Sequence, residues 1–319
     1  SKKAAAVVGL VAVVAYLVVS GAPSPAERAA ITAGAAFLAV LVDRRAISLH
    51  TLAIAALVIL ALQPEAVIQP GFQMSFAATA ALVALAEAWP RPSKEINTPW
   101  PIRLIQGVSV WLAASVGASF VAGLATGPFA MQHFNRVSTF GLVANLLTAP
   151  ISSFLMMPAL AIGAVLAPLG LGGPPLAAAG LAIDTMNMIA RWVAQLPNSQ
   201  LIYASAPAWT LPAAFVGVLW LCVWRGPLRW VGLPLALSVW LCPRPPAPDV
   251  WIAADGSSVA VRHDETAVLL RPDAKLFAAE LWARRRGLTV APAEARESAY
   301  ECDRWSCAPR RNGEGPPIA

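Results

Sequence analysis

LIQGVSVWLAASVGASFVAGLATG, residues 104–127, decides the fold class, because 24 consecutive residues pass without one charged side chain. A helix of that length spans about 36 Å at 1.5 Å per residue, enough for a hydrocarbon core of about 30 Å. Eight further apolar segments lie on either side of it, at 4–20, 26–42, 47–62, 71–89, 139–168, 176–196, 207–224 and 227–242. Pro, Gly and charged residues punctuate them. Segment 47–62 is short, in keeping with a tilted or partly re-entrant helix. Segment 139–168 carries Pro150 and Pro158 and reads as one piece or two. Composition agrees: 58% of residues are hydrophobic, 13% are charged, and the mean hydropathy is +0.63. A soluble domain carries about 25% charged residues, so part of this surface must meet lipid. The expected fold is an all-α polytopic membrane bundle of about nine transmembrane or interfacial helices over residues 1–242, followed by a small α/β tail.

The boundary is a Pro-rich linker, 243–248, that cannot be helix. Up to and including Arg244 lie 13 Lys+Arg and 6 Asp+Glu; from Asp249 onward, 10 and 11. The net charge of +6 therefore belongs to the membrane part, as basic cytoplasmic loops require. With the N-terminus inside, the inner loops hold nine cations (Lys2, Lys3, Arg44, Arg45, Arg91, Lys94, Arg103, Arg225, Arg229). The outer ends hold four, Arg28, Arg136, Arg191 and Arg244. This asymmetry supports a multi-pass protein of nine spans with the N-terminus inside and the tail outside, which is the periplasm if the membrane is the inner one that the resemblance below implies. Splitting 139–168 into two spans would reverse Arg225 and Arg229, so the count opposes the split. In the tail, strands are expected at 250–253, 257–262 and 267–271 around the turn dipeptide Asp255-Gly256, then a helix at 275–286, with disorder from Asn312. The chain begins Ser1-Lys2-Lys3 without Met and reads as part of a longer protein.

Polar groups inside a membrane are costly, which makes each one a candidate site. Gln69, Gln73 and Ser75 flank Pro70-Gly71-Phe72, either lining a cavity at a broken helix start or lying at the interface behind a first-turn Pro. Asp184, Asn187 and Arg191 share one helical face, read preferentially as the wet side of a helix lying flat on the outer surface. Asn145 stands alone in its segment and either bonds a neighbouring helix or faces a pore. Glu87, close to Trp89, is placed to reach the interface. The histidines His50, His133 and His263 lie far apart in sequence, and no HExxH, P-loop or GxSxG motif occurs. No catalytic residue, metal or cofactor is expected. Cys222 and Cys242 fit as buried small residues. Cys302 and Cys307 are a candidate disulfide if the tail is outside.

Several of these stretches resemble the ComEC competence proteins. Gly21 to Ala30, with Pro23-Ser24-Pro25 and Arg28-Ala29, is similar to that family's start of a membrane helix, with one extra residue between Ser24 and Arg28. Pro64 followed by Pro70-Gly71-Phe72-Gln73-Met74-Ser75-Phe76 resembles its most recognisable motif. Phe134-Asn135-Arg136, Ala144-Asn145-Leu146 and Pro150 resemble a second. Arg191-Trp192 with Leu196-Pro197 is similar to the amphipathic helix that follows. The resemblance covers about residues 20–200. It implies an inner-membrane channel component that passes single-stranded DNA into the cytoplasm in natural transformation, alongside other competence and DNA-uptake proteins. Arg28, Gln73, Ser75, Asn135, Arg136 and Asn145 are the candidates for the DNA path, and Pro70, Gly71, Phe72, Phe76 and Pro150 form the structural motif. The family's N-terminal OB-like domain has no counterpart here, and a metallo-β-lactamase-like nuclease needs a His cluster where this tail has only His263. A nuclease is therefore not expected. A small-solute or lipid transporter and a non-catalytic envelope subunit are the alternative readings.

Overall fold

The computed structural model describes residues 2–89, 99–270, 276–291, 297, 299–302 and 307–309. The bundle comprises α1 (Lys2–Val19), α2 (Ser24–Leu41), α3 (Leu49–Leu62), α4 (Pro70–Ala88), α5 (Trp100–Phe134), α6 (Gly141–Ile151), α7 (Met157–Leu166), α8 (Gly173–Ala194), α9 (Thr210–Val223), α10 (Gly232–Ala236) and α11 (Ser238–Leu241). Each of the nine expected segments contains helix. By length and composition, however, only four helices among the described residues could cross a membrane: Lys2–Val19, Pro70–Ala88, Trp100–Phe134 and Gly141–Leu169. Leu49–Leu62 and Thr210–Val223 are apolar but shorter. The last expected segment is broken by Gly and Pro into a 3-10 turn and two short helices.

Residues 141–169 form one continuous helix, in which a π turn (Ser152–Met156) lies between Pro150 and Pro158. Proline removes a backbone donor and crowds the preceding turn; a local widening keeps such a helix unbroken. α8 packs along it through contacts with α6, the π turn and α7, and leaves Asp184, Asn187 and Arg191 exposed on its outer face.

Helix ends sort into two sets. At one end, Lys3 pairs with Asp43 (2.6 Å) and Arg225 with Glu87 (2.9 Å), and the Trp220 and Trp224 rings stack 4.3 Å apart. At the other end lie the start of α2, the break between α3 and α4, the end of α5 and the start of α9, where Ser238 Oγ donates to Thr210 O (2.9 Å). Between them, Phe72 and Phe76 (centroids 4.5 Å apart) anchor a core with Leu52, Ala55 and Ile59. Exposed Trp89, Trp224 and Trp230 mark the first end, and Trp192, Trp209 and Trp240 the second. Aromatic rings gather in this way at membrane–water interfaces.

Residues 242–249 carry no helix or strand. In the tail, β3 (Val250–Ile252), β4 (Val259–His263), β5 (Thr266–Leu269) and β6 (Thr289–Val290) make one sheet in that order, with β6 parallel to β5 after helix α12 (Leu276–Arg285). Alternation decides its faces. Ala260, Ala267 and Leu269 pack under Ala279 and Trp282 of α12. Val261, Val268 and Leu270 meet Tyr300 on the opposite side. Tyr300 opens the hairpin β7 (Tyr300–Cys302) and β8 (Cys307–Pro309), in which Cys302 and Cys307 are paired in register and disulfide-bonded. The strand β6 and this hairpin were not foreseen from sequence. Arg91, Lys94, Arg271, Lys275 and the expected disorder from Asn312 lie outside the described residues.

Candidate functional site

The second end of the bundle gathers polar side chains on a broken helix. Gln63-Pro64 ends α3, because Pro64 cannot continue its ladder, and a 3-10 turn (Pro64–Ile68) leads to Pro70 at the first turn of α4. The detour leaves carbonyls without helical partners. Gln73 Nε2 donates to one of them, Val67 O (2.9 Å), while Gln73 Oε1 accepts from His133 Nε2 (2.8 Å). Gln73 thus ties the break to the last turn of α5.

Arg28 enters from α2. Its Nη1 donates to Ser24 Oγ (2.8 Å), and its guanidinium lies beside Gly71, where an added Cβ would come 2.5 Å from Nη2. A side chain at Gly71 would therefore push the Arg28 guanidinium aside. Beside it, Gln63 Nε2 donates to Glu27 Oε2 (3.0 Å), so the one carboxylate next to Arg28 on α2 is already engaged.

After α5 the chain turns on Asn135, whose φ of 57° is left-handed, a conformation Asn tolerates better than most residues. Asn135 is 2% exposed, and its Nδ2 donates to Tyr203 O (3.0 Å) and Ser205 Oγ (2.9 Å). One turn earlier, Gln132 pairs both amide atoms with the Ala206 backbone (3.0 Å each). These contacts hold the extended segment 203–206 against the end of α5, while Arg136 begins β1 (Arg136–Ser138), which pairs antiparallel with β2 (Gln200–Ile202). Asn135 is a buried strut at this end of the bundle, and Arg136 is exposed beside it.

Four of the sequence candidates, Arg28, Gln73, Asn135 and Arg136, therefore gather at one end. Ser75 is exposed two residues further along α4, and Asn145 lies exposed on α6; no hydrogen bond among the described residues joins either side chain to the others. Pro150 sits in the long helix, away from the break. Sequence reasoning passed over His133 and Gln132. The signal for them was a run of polar side chains in the last turn of an otherwise apolar helix. It also passed over Arg244, whose guanidinium donates to Val239 O (2.7 Å), Cys242 O (2.8 Å), Trp240 O (3.0 Å) and, more weakly, Ala204 O (3.4 Å). That places the linker at the same end. Ser205 N donates to Arg285 O (2.8 Å), which docks the tail there too. Among the described residues no three His, Cys, Asp or Glu side chains gather as a metal site would require.

The model of a family described as "Competence protein" matches residues 1–228. The chain is also similar to ComE operon protein 3 of Bacillus subtilis (strain 168), 25% identical over 151 residues, which are 47% of this chain and 17% of that one. The match thus spans less than a fifth of that relative's length. No solved structure matches the chain.

Proposed function

Because the chain belongs to the competence protein family, we propose that it serves DNA uptake, its bundle contributing the path by which single-stranded DNA crosses the inner membrane. The observation that carries this is the polar mouth: Arg28, Gln73 and His133 converge on a broken helix in a bundle that is otherwise apolar. A phosphodiester chain needs cations and donors along its route, since low-dielectric surroundings penalise bare phosphates heavily. Arg28 supplies the positive charge. The break supplies backbone groups that α-helix would have sealed, in the position where irregular backbone is tolerated inside membranes. Exposed Arg136 and Ser75 extend the polar surface beyond the mouth, and Asn135 positions the backbone that carries Arg136. In this reading the chain supplies no catalytic step, and any strand degradation falls to another protein.

The test is transformation of a competent host that carries this chain as its sole source of the function. Arg28→Ala and Gln73→Leu should each reduce internalisation of single-stranded and duplex DNA while outer DNA capture and membrane abundance stay normal. If both variants take up DNA normally at normal abundance, the mouth is not the path.

A further inference from the structure

A polar cavity lies where the tail docks on the bundle, with a volume of about 540 Å³. It is within the roughly 300–1,000 Å³ range of small-ligand sites. Gln132 and Ser205 line it from the bundle, Trp251 and Trp282 from the sheet and helix of the tail, and Arg285 and Arg286 from the end of α12. The Trp251 and Trp282 rings lie nearly parallel, 25° apart with centroids at 6.2 Å. Trp282 is buried and Trp251 half-buried, so Trp251 presents the accessible ring.

The cations are placed for a ligand. Arg284 is occupied by Glu280 (3.2 Å). Neither the Arg285 nor the Arg286 side chain has a partner among the described residues, and no carboxylate among them lines the cavity. A C-terminal helix dipole favours cations nearby, but it would be served by any exposed basic residue of the last turn. Here the two unengaged guanidinium groups share one cavity with an indole face. Position adds the rest. Ser205 accepts from Asn135 and its N–H holds Arg285 O, so the cavity adjoins the mouth built by Gln73, His133 and Asn135.

We propose that this cavity binds one nucleotide unit of single-stranded DNA, with Arg285 and Arg286 on the phosphodiesters and Trp251 stacked on a base. Guanidinium forks match phosphate oxygens, and aromatic stacking tolerates any base. The tail is then a threading surface that presents the strand to the bundle. This rests on the DNA-uptake reading but assigns a separate site.

The experiment uses the full chain in phosphatidylcholine nanodiscs and a fluorescein-labelled dT12. Arg285→Gln with Arg286→Gln should weaken binding about tenfold. Loss of two phosphate contacts should lower the slope of log affinity against log salt by about 1.4, at about 0.7 per single-strand contact. A second double variant, Arg285→Lys with Arg286→Lys, should keep the slope and lose part of the affinity, which separates charge from misfolding. A dT12 carrying 5-bromodeoxyuridine should photocrosslink to the peptide containing Trp251. Unchanged affinity and slope in the Gln variant, crosslinks confined to other peptides, or dependence on these arginines for phosphatidylglycerol vesicles but not for dT12 would each overturn the site. If the Gln variant binds and transforms normally while Gln73→Leu loses uptake, the tail site falls and the bundle reading stands. If dT12 binding depends on Arg285 and Arg286 while Arg28→Ala and Gln73→Leu leave uptake normal, the bundle reading falls and the tail site stands.

Discussion

Gly71 and Arg28 are a pair defined by contact rather than charge. A methyl at Gly71 would come 2.5 Å from Arg28 Nη2, and because that atom ends a long flexible side chain the guanidinium swings aside at little cost. Gly71→Ala should therefore change stability in detergent by no more than about 0.5 kcal/mol while displacing the Arg28 charge and reducing uptake. A large drop in the thermal midpoint would show that Arg28 cannot give way. Asn135 divides differently. Asn135→Gly keeps the left-handed turn and loses two amide bonds, whereas Asn135→Ala loses both and adds about 1–2 kcal/mol of backbone strain. Melting curves should therefore rank wild type above Gly and Gly above Ala. In the tail, the Tyr300 hydroxyl is buried without a partner among the described residues, and its ionisation is pushed upward by burial. Tyr300→Phe should leave the tail equally or more stable, by about 1 kcal/mol.

At the scale of elements, close packing between α9 and α10 rests on two glycines. A Cβ on Gly217 would fall within 3 Å of Ala236 N, Gly232 O and Leu235 C, and one on Gly232 would lie 2.8 Å from Gly217 O. Backbones approach this closely only where side chains are absent, a common way for helices to pack in lipid. Gly217→Val should force the pair apart and reduce the folded fraction recovered from membranes several-fold, as size-exclusion profiles would register. A profile matching wild type would mean that α10 is free to move. The long helix of 141–169 makes a different point. Pro150 and Pro158 each break a rule of helix continuity, and the π turn between them absorbs both without ending the helix. Proline positions therefore mark strain here, not a boundary.

Across the whole molecule, the ion pairs Lys3–Asp43 and Glu87–Arg225 lie at one end, while the mouth, the linker and the tail share the other. Lys3 and Arg225, two of the inner-loop cations counted in the sequence, fall at the ion-pair end, so we propose that this end faces the cytoplasm. A reporter active only in the cytoplasm, fused after Arg244, should be silent; a strong signal would reverse the proposed orientation. On the same proposal the Cys302–Cys307 bridge meets an oxidising compartment. Thiol reagents should miss both cysteines in unreduced envelopes and reach them after reduction, and labelling without reductant would place the tail inside.

Much of this was legible in the residues taken one after another. Membrane partition is a sum over local hydrophobicity, so 104–127 was readable as a span. In the tail, the turn dipeptide Asp255-Gly256 pointed to the strands on either side of it. The number of helices long enough to cross was not legible, because Gly and Pro near 227–237 shorten a segment whose composition still looks membranous. Nor were the contacts of the mouth. Gln73 and His133 are 60 residues apart, and Asn135 and Ser205 are 70. No periodicity links such pairs. Hydropathy belongs to a side chain wherever it goes, whereas a hydrogen bond exists only where two backbones converge, and that convergence is set by how the helices pack.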